Sequence, residues 1–367
     1  VGVAYRLVDA LNRRLGGRLG LAQFQDLVAL GTIADIGPLV DENRLLVQQG
    51  LQRMREAPRV GLVALMAVAG VWPAQLDSQA IGFRLGPRIN AAGRLQTAKL
   101  AYDLLLSESP EEAERLAATL DGVNQERQRL LELQVEQAKD ILGQANDQKV
   151  LFVAGQDFHE GIVGLIASRL VEEFYRPTLV MRQGPQFTRG SARSIEGFDI
   201  TRALDRCASL FSRYGGHARA AGFTLPTKNI GAFREHLERY GEDLLTEEIL
   251  SPRYSVDAQV DLDDLSEATC QALALLEPCG EGNPQAALAA MGVKLQALQT
   301  VGQEGRHLKL YVGNGHRSLP AIAFRMGHLA SAYKPGDNVD LIYRPDLNDW
   351  QGERILQLVV EAIRPTM

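Results

Sequence analysis

Apolar residues first recur at intervals of four: Val3, Leu7, Leu11 and Leu15 form one stripe of a helix that Gly16-Gly17 ends. A second apolar stretch, 60–76, is interrupted by Gly61, Gly70, Pro73 and Gln75. It falls short of the roughly 20 residues that cross a bilayer. Segment 109–142 opens with Ser109-Pro110-Glu111-Glu112, which supplies an N-cap, a proline at the first helical position and a capping-box glutamate, and it closes at Gly143. The spacing predicts a helix about 50 Å long, with Leu116, Leu120, Val123, Leu130 and Leu131 as apolar contacts. Such a rod either connects two bodies or lies along one domain. Strand patterns at 149–154 and 177–181 then alternate with helical patterns at 162–174, 201–208 and 230–244, which is α/β material. After Pro252 the runs become short and alternating, at 254–262, 291–298, 307–312, 321–325, 339–343 and 355–360. Turns at Gly313-Asn314-Gly315 and Pro335-Gly336-Asp337 separate them, and together they predict a small barrel.

Composition narrows the class. The 367 residues carry 39 Lys+Arg against 45 Asp+Glu, for a net charge of −6, with 46% hydrophobic and 23% charged residues. Those are globular values for two or three domains and argue against disorder, collagen or coiled coil. The acidic total conceals slight basic excesses over 1–108 and 149–245, so a nucleic-acid partner is not excluded. Cys207, Cys270 and Cys279 form no CxxC pair, which fits a reduced cytoplasmic compartment. No zinc-spaced Cys/His set, GxSxG elbow, Walker A loop or Rossmann fingerprint occurs.

Four segments carry candidate chemistry. In Gly31-Thr32-Ile33-Ala34-Asp35-Ile36-Gly37-Pro38-Leu39, one acid stands among small and apolar residues. It must be solvated, act as a cap or bind a cation, since an isolated buried charge is costly. Leu85-Gly86-Pro87-Arg88-Ile89-Asn90-Ala91-Ala92-Gly93-Arg94 reads as turn-rich. Its guanidinium forks match phosphate oxygens or, as readily, loop carbonyls. Residues 182–219 hold seven arginines, no lysine and three acids, an excess suited to phosphate recognition. Within them, Gly190-Ser191-Ala192-Arg193-Ser194 and Tyr214-Gly215-Gly216-His217-Ala218-Arg219-Ala220-Ala221-Gly222 combine small residues that expose backbone N–H groups with Ser191, Arg193 and His217 as polar contacts to an anion. A lone histidine such as His217 is more often structural than functional, a margin that the paired glycines before it narrow. Finally, His159 in Phe158-His159-Glu160-Gly161-Ile162-Val163-Gly164 precedes a helix beginning near Gly161, and it either caps that helix or faces an anion at its N-terminus.

At these residues the chain resembles the bacterial RecJ family of single-strand-specific exonucleases, within the DHH phosphoesterase superfamily. Residues 34–39 are similar to the family's fourth metal-site motif, 85–94 to its LGPRINAAGR segment and 159–170 to HxGxVGxxASRL. Residues 190–195 resemble GSxRSI, 215–222 the GGHxxAAG signature of a DHHA1 domain, and 276–284 with His307-Leu308-Lys309 the OB-fold portion. The family's upstream aspartate motif and Asp-His-His triplet are not found, and none of the six histidines neighbours another. With Val1 opening inside a helix, the expectation is an amino-terminally truncated enzyme with little activity of its own.

The resemblance implies an α/β chain: a partial DHH domain over 1–108, a long connecting helix over 109–148, an α/β DHHA1 domain over 149–248 and a C-terminal OB-fold β-barrel over 249–367. For the complete protein it implies 5′-to-3′ hydrolysis of single-stranded DNA in repair and recombination, with two ions, Mn²⁺ or Mg²⁺. Asp35 would be a metal ligand and His217 an electrostatic stabiliser at the scissile phosphate. Ser191, Arg193, Arg94 and Arg88 would surround the 5′ phosphate, with Asn90, His159, Gly215 and Gly216 as further contacts. Lys309, Tyr311 and Phe324 would hold the strand on the barrel. Its partners would be single-stranded DNA with a 5′ end and a helicase or single-strand-binding protein, and no membrane. Two other classes stay open: a short-oligonucleotide or cyclic-dinucleotide phosphodiesterase, and a non-catalytic single-strand-binding module.

Overall fold

Close-approach glycines such as Gly50 and Gly61 and, for the longest helix, a serine N-cap set the helices of the first half. In the computed structural model, which describes residues 1–143, 148–314, 317–350 and 353–366, the chain begins with α1 (Gly2–Arg14), α2 (Gln25–Ala34), α3 (Asp41–Glu56) and α4 (Val60–Ala69). There follow α5 (Gly86–Leu95), α6 (Lys99–Leu106) and α7 (Pro110–Leu142). The next stretch runs β1 (Leu151–Gly155), α8 (Val163–Phe174), β2 (Thr178–Gln183), β3 (Phe187–Arg193), α9 (Ile200–Asp205), β4 (Arg213–His217), β5 (Ala220–Pro226) and α10 (Ile230–Leu244). Last come β6 (Ala258–Gln259), α11 (Glu267–Ala274), β7 (Leu288–Val301), β8 (His307–Gly313), β9 (Ser318–Ala323), β10 (Asn338–Trp350) and β11 (Glu353–Pro365). Among the described residues no helix is long and apolar enough to cross a membrane.

Several local expectations need correction. The segment 85–94 is a helix, not turns: Pro87 sits in the first turn of α5, where its missing N–H costs nothing, and Ala91 and Ala92 are fully buried. The arginine-and-glycine motifs, which carried no strand pattern, are strands β3, β4 and β5. Of the run 254–262 only Ala258–Gln259 is strand, and α11, held by a Ser266/Thr269 capping box, was not anticipated. Gly315 of the expected turn lies outside the described residues.

The chain divides into two compact units. One comprises residues 1–56, 76–82 and 254–367. Here α2 and α3 approach closely because Gly50 has no side chain, and a Cβ there would stand 2.2 Å from the Gln25 carbonyl oxygen. The stripe of α1 is present but exposed, Val3 at 87%, whereas Asp9 is buried against Arg6 and Arg13. Strands β7 to β11 close a five-stranded barrel in the order β7-β8-β9-β11-β10 and back to β7, with β9 and β11 parallel and the other pairs antiparallel. That connectivity is the OB-fold. Alternation directs Leu308, Leu310 and Val312 of β8 into its core, with Tyr343, Leu295 and Leu358.

The other unit comprises residues 57–75 and 83–253. The expected N-cap and stop hold: the Ser109 hydroxyl accepts from Glu112 N, and Gly143 ends the 33-residue α7 at φ +57°. The carboxylate that joins the cap is Glu111, which accepts from Ser109 Oγ at 2.8 Å, not the expected capping-box Glu112. One half of α7 packs on α4, α5 and α6 and the other on α8 and β1. The sheet order is β1-β2-β3-β5-β4, with β1–β2 parallel and the rest antiparallel. One face, through Val153 and Val180, packs on Ile166 and Leu170 of α8 and Leu131 of α7. The opposite face, through Phe152, Leu179, Met181 and Phe223, packs on Phe233 and Leu237 of α10.

Candidate nucleic-acid interface

Strand register assembles the site. Arg193 pairs with Ala220 and Ala220 with His217; one step along, Ser191 pairs with Gly222 and Gly222 with Gly215. Cross-strand partners and residues two apart share a face. Ser191 and Arg193 therefore stand on the same face as His217, two strands and roughly 10 Å away, with only Ala220, Gly222 and Gly215 between. A Cβ added at Gly215 or Gly222 would meet nothing within 4 Å, so the floor of this trough is open. Val180 pairs with Ser191, which makes it the face that α8 covers over β1 and β2. Gly164, in the first turn of α8, comes against the polar atoms: a Cβ there would stand 3.0 Å from Arg193 Nη2 and 3.1 Å from Ser191 Oγ. A helix N-terminus at this position favours an anion.

The edge hairpin fixes His217. Its two-residue turn is tied down by Ser194 N donating to Arg219 O (2.9 Å) and Ile200 N to Ala218 O (3.1 Å). Arg219 N donates to His217 Nδ1 at 3.3 Å, which leaves Nε2–H as the donor of an exposed ring. Gly216 is required by close approach, because a Cβ would lie 2.2 Å from Ala220 O.

Among the arginines, partners separate two populations. Arg193 donates to Ser191 Oγ and Ala192 O, both at 2.9 Å, and Arg94 to Gly161 O at 3.3 Å. Neither meets a carboxylate among the described residues, and burial lowers the pKa of both; for Arg193 the nearby Arg94 charge adds to this. The others are occupied or exposed. Glu160 accepts from Arg182 and Arg189, each at 2.9 Å, and these pairs hold its carboxyl below the usual range. Arg202 meets Asp199, and Arg206 lies over the Tyr240 ring. Arg88 is half-buried and committed to Asp121 (2.8 Å) and the Arg84 carbonyl (2.6 Å), the bonding that its sequence left open as the alternative to phosphate. Asn90 lies exposed on α5. His159 is exposed beside Gly161; its Nδ1 accepts from Gly161 N at 3.1 Å, so it caps that turn, and α8 starts later with Ile162 as N-cap.

In the other unit Asp35 is the residue that ends α2, exposed, with Ile36 at φ +55° after it. The glycine-rich loop 276–284 grips the segment that follows: Leu39 N donates to Glu281 O at 2.6 Å, and Gly280 leaves room for Leu39 Cδ1. Ser78 Oγ in turn donates to Cys279 O at 2.6 Å. On the outer face of β8, Lys309 Nζ lies 5.7 Å from the Tyr311 ring centre. His307 meets the exposed Phe324 edge to face at 5.4 Å. Sequence reasoning missed Gln134 and Arg127 of α7. Gln134 holds Asp157 O (2.8 Å) and His159 N (3.0 Å), but on a long helix of mixed charge nothing singles either residue out.

Models of two domain families match the chain, the DHHA1 domain over residues 147–243 and the RecJ OB domain over 256–362. A single-stranded-DNA-specific exonuclease RecJ of Dickeya dadantii is 34% identical across the whole chain, which covers 67% of it. The chain belongs to the RecJ family. The Bacillus subtilis RecJ is 34% identical over 98% of this chain. A crystal structure of Thermus thermophilus RecJ in complex with Mg²⁺ superposes on all of it with a TM-score of 0.85 at 32% identity. The chain spans 46% of the Bacillus RecJ and 56% of the Thermus one, about half of each. The mixed α/β fold with a DHHA1 domain and a C-terminal OB barrel is thus that of RecJ proteins.

Proposed function

We propose that the complete protein degrades single-stranded DNA from the 5′ end, in repair and recombination, and that this chain supplies the seat of the terminal phosphate. The observation that carries the reading is the shared face of Ser191, Arg193 and His217 across a floor of Gly215, Ala220 and Gly222. Ser191, Arg193 and Arg94 would hold the terminal phosphate by charge-assisted bonds, with Gly164 at the start of α8 beside them. The bare floor would let the sugar-phosphate backbone lie close to the sheet. His217 would donate from Nε2 to a phosphate oxygen further along, where negative charge builds up during cleavage. Such contacts fix polarity without reading sequence. In its own unit, the barrel would take bases and backbone of single-stranded DNA on Tyr311, Phe324 and Lys309, and such a platform favours long strands over dinucleotides.

Mg²⁺ and Mn²⁺, named for the structures of the Thermus relatives, would serve the complete protein. The residues present do not make such a site. Among those described, no three His, Cys, Asp or Glu side chains stand together to hold an ion. Asp35 offers one exposed carboxylate, which would be a single ligand. By itself the chain is proposed to bind strands, not to cut them. Three buried free thiols support a cytoplasmic setting, and a supply of single strands calls for a helicase or single-strand-binding protein as partner.

Fluorescence anisotropy with this chain tests the reading. It should bind a 5′-phosphorylated oligonucleotide more tightly than its 5′-hydroxyl twin, and Arg193→Ala should abolish the difference. An undiminished preference in the variant would remove Arg193 from the phosphate seat.

A further inference from the structure

We propose that Arg127 of α7 is a third phosphate-binding arginine of this interface, taking the first internucleotide phosphate while Arg193 and Arg94 take the terminal one. The inference rests on the phosphate seat proposed above and extends it by one nucleotide. Arg127 is half-buried; its Nη2 donates to Asn124 Oδ1 at 2.9 Å, and its buried Nε has no hydrogen-bond partner. Among the described residues no carboxylate pairs with it. A half-buried cation without a counter-charge costs stability, so the arrangement suits a group that brings a negative charge to the guanidinium.

Helix packing places Arg127 at the site. Arg88 of α5 meets Asp121 of α7, and six residues further on in each helix come Arg94 and Arg127. Arg94 reaches Gly161 O, in the loop whose Asp157 O and His159 N are held by Gln134, two turns beyond Arg127 on the same stripe of α7. The charges agree: burial and the neighbouring Arg94 and Arg169 lower the Arg127 pKa, while Arg193 senses Arg94. Arg169 has its own partner in Glu172. Arg94 is thus close to both Arg193 and Arg127, and the three unneutralised guanidiniums match what two consecutive phosphates present.

The test uses this chain and a 5′-phosphorylated single strand, either unmodified or with a neutral methylphosphonate at its first linkage. Arg127→Gln should weaken binding of the unmodified strand about tenfold and lower the slope of log affinity against log salt by about 0.7, the release of one counterion. The methylphosphonate should weaken the wild type equally and Arg127→Gln no further. The preference for a 5′ phosphate should survive in Arg127→Gln, whereas it is lost in Arg193→Ala, so the two readings fail separately. Arg127→Lys should keep the salt slope, and it replaces Arg127→Gln as the test if thermal melting shows the latter unfolded. An unchanged slope in Arg127→Gln, or a loss of the same size on the methylphosphonate strand, would overturn the proposal.

Discussion

At the scale of single residues, the turn after α2 is built against its own stability. Ile36 N donates to Ile33 O and Gly37 N to Thr32 O, the paired bonds of a Schellman motif, yet the left-handed position at φ +55° holds a β-branched residue. The carboxylate of Asp35 sits at the negative end of the helix dipole, an unfavourable place for an acid. Backbone strain of this kind clusters at functional sites, which agrees with the ligand role proposed for Asp35. Ile36 is 72% exposed, so glycine there would forfeit little burial while relieving the backbone. Ile36→Gly should raise unfolding free energy by about 1 kcal/mol in denaturant melts; a loss would mean that the isoleucine is held by packing. The sequence marks Asp35 as odd through its apolar neighbours. Its place just after an apolar helix is legible too; the left-handed turn is not, because Ile36 and not a glycine holds that position.

Strands β3, β4 and β5 show how one residue type serves opposite ends. Gly190 and Gly216 are steric necessities: a Cβ at Gly190 would lie 2.3 Å from the Phe223 ring, and one at Gly216 2.2 Å from Ala220 O. Gly215 and Gly222 face open space. Gly216→Ala should therefore destabilise by about 2 kcal/mol through overpacking. Gly222→Val should leave melting unchanged or improved, since glycine weakens a strand interior, yet cut strand affinity about tenfold, what one charged hydrogen bond is worth. Wild-type binding by Gly222→Val would show that the trough is not the path of the strand. The motif residues Ser191, Arg193 and His217 were legible as a set of polar groups among small ones. That they share one face was not, because glycine-rich strands lack the alternation that reveals a strand, and the face follows from register alone.

At the scale of the whole chain, long helices and barrel strands were written in caps and alternation, but the grouping of distant segments was not. No local signal says that Ser78 will bond Cys279 or that Leu39 will meet Glu281, since such pairings are decided by packing. One thiol in each unit offers a way to follow that packing in solution. Burial pushes Cys207, 3% exposed among Phe198 and Leu204, and Cys279, beside Glu277, from 9.0 up to about 11. Between those values the unfolded thiol has ionised while the folded one keeps its proton. The native state then holds more protons, and stability present below pH 9 drains away as pH rises toward 11. Each thiol should account for about 2 kcal/mol of that decline. Tyr343, its phenol pushed up to about 12 inside the barrel, extends the loss above pH 10. Denaturant melts across pH 8 to 11 should show the fall in the wild type, a shallower one in Cys207→Ala, and the shallowest in the double variant with Cys279→Ala. Any cavity left by the substitutions lowers every point alike, so the slope isolates the thiols, and parallel curves would show that neither is desolvated as its packing implies.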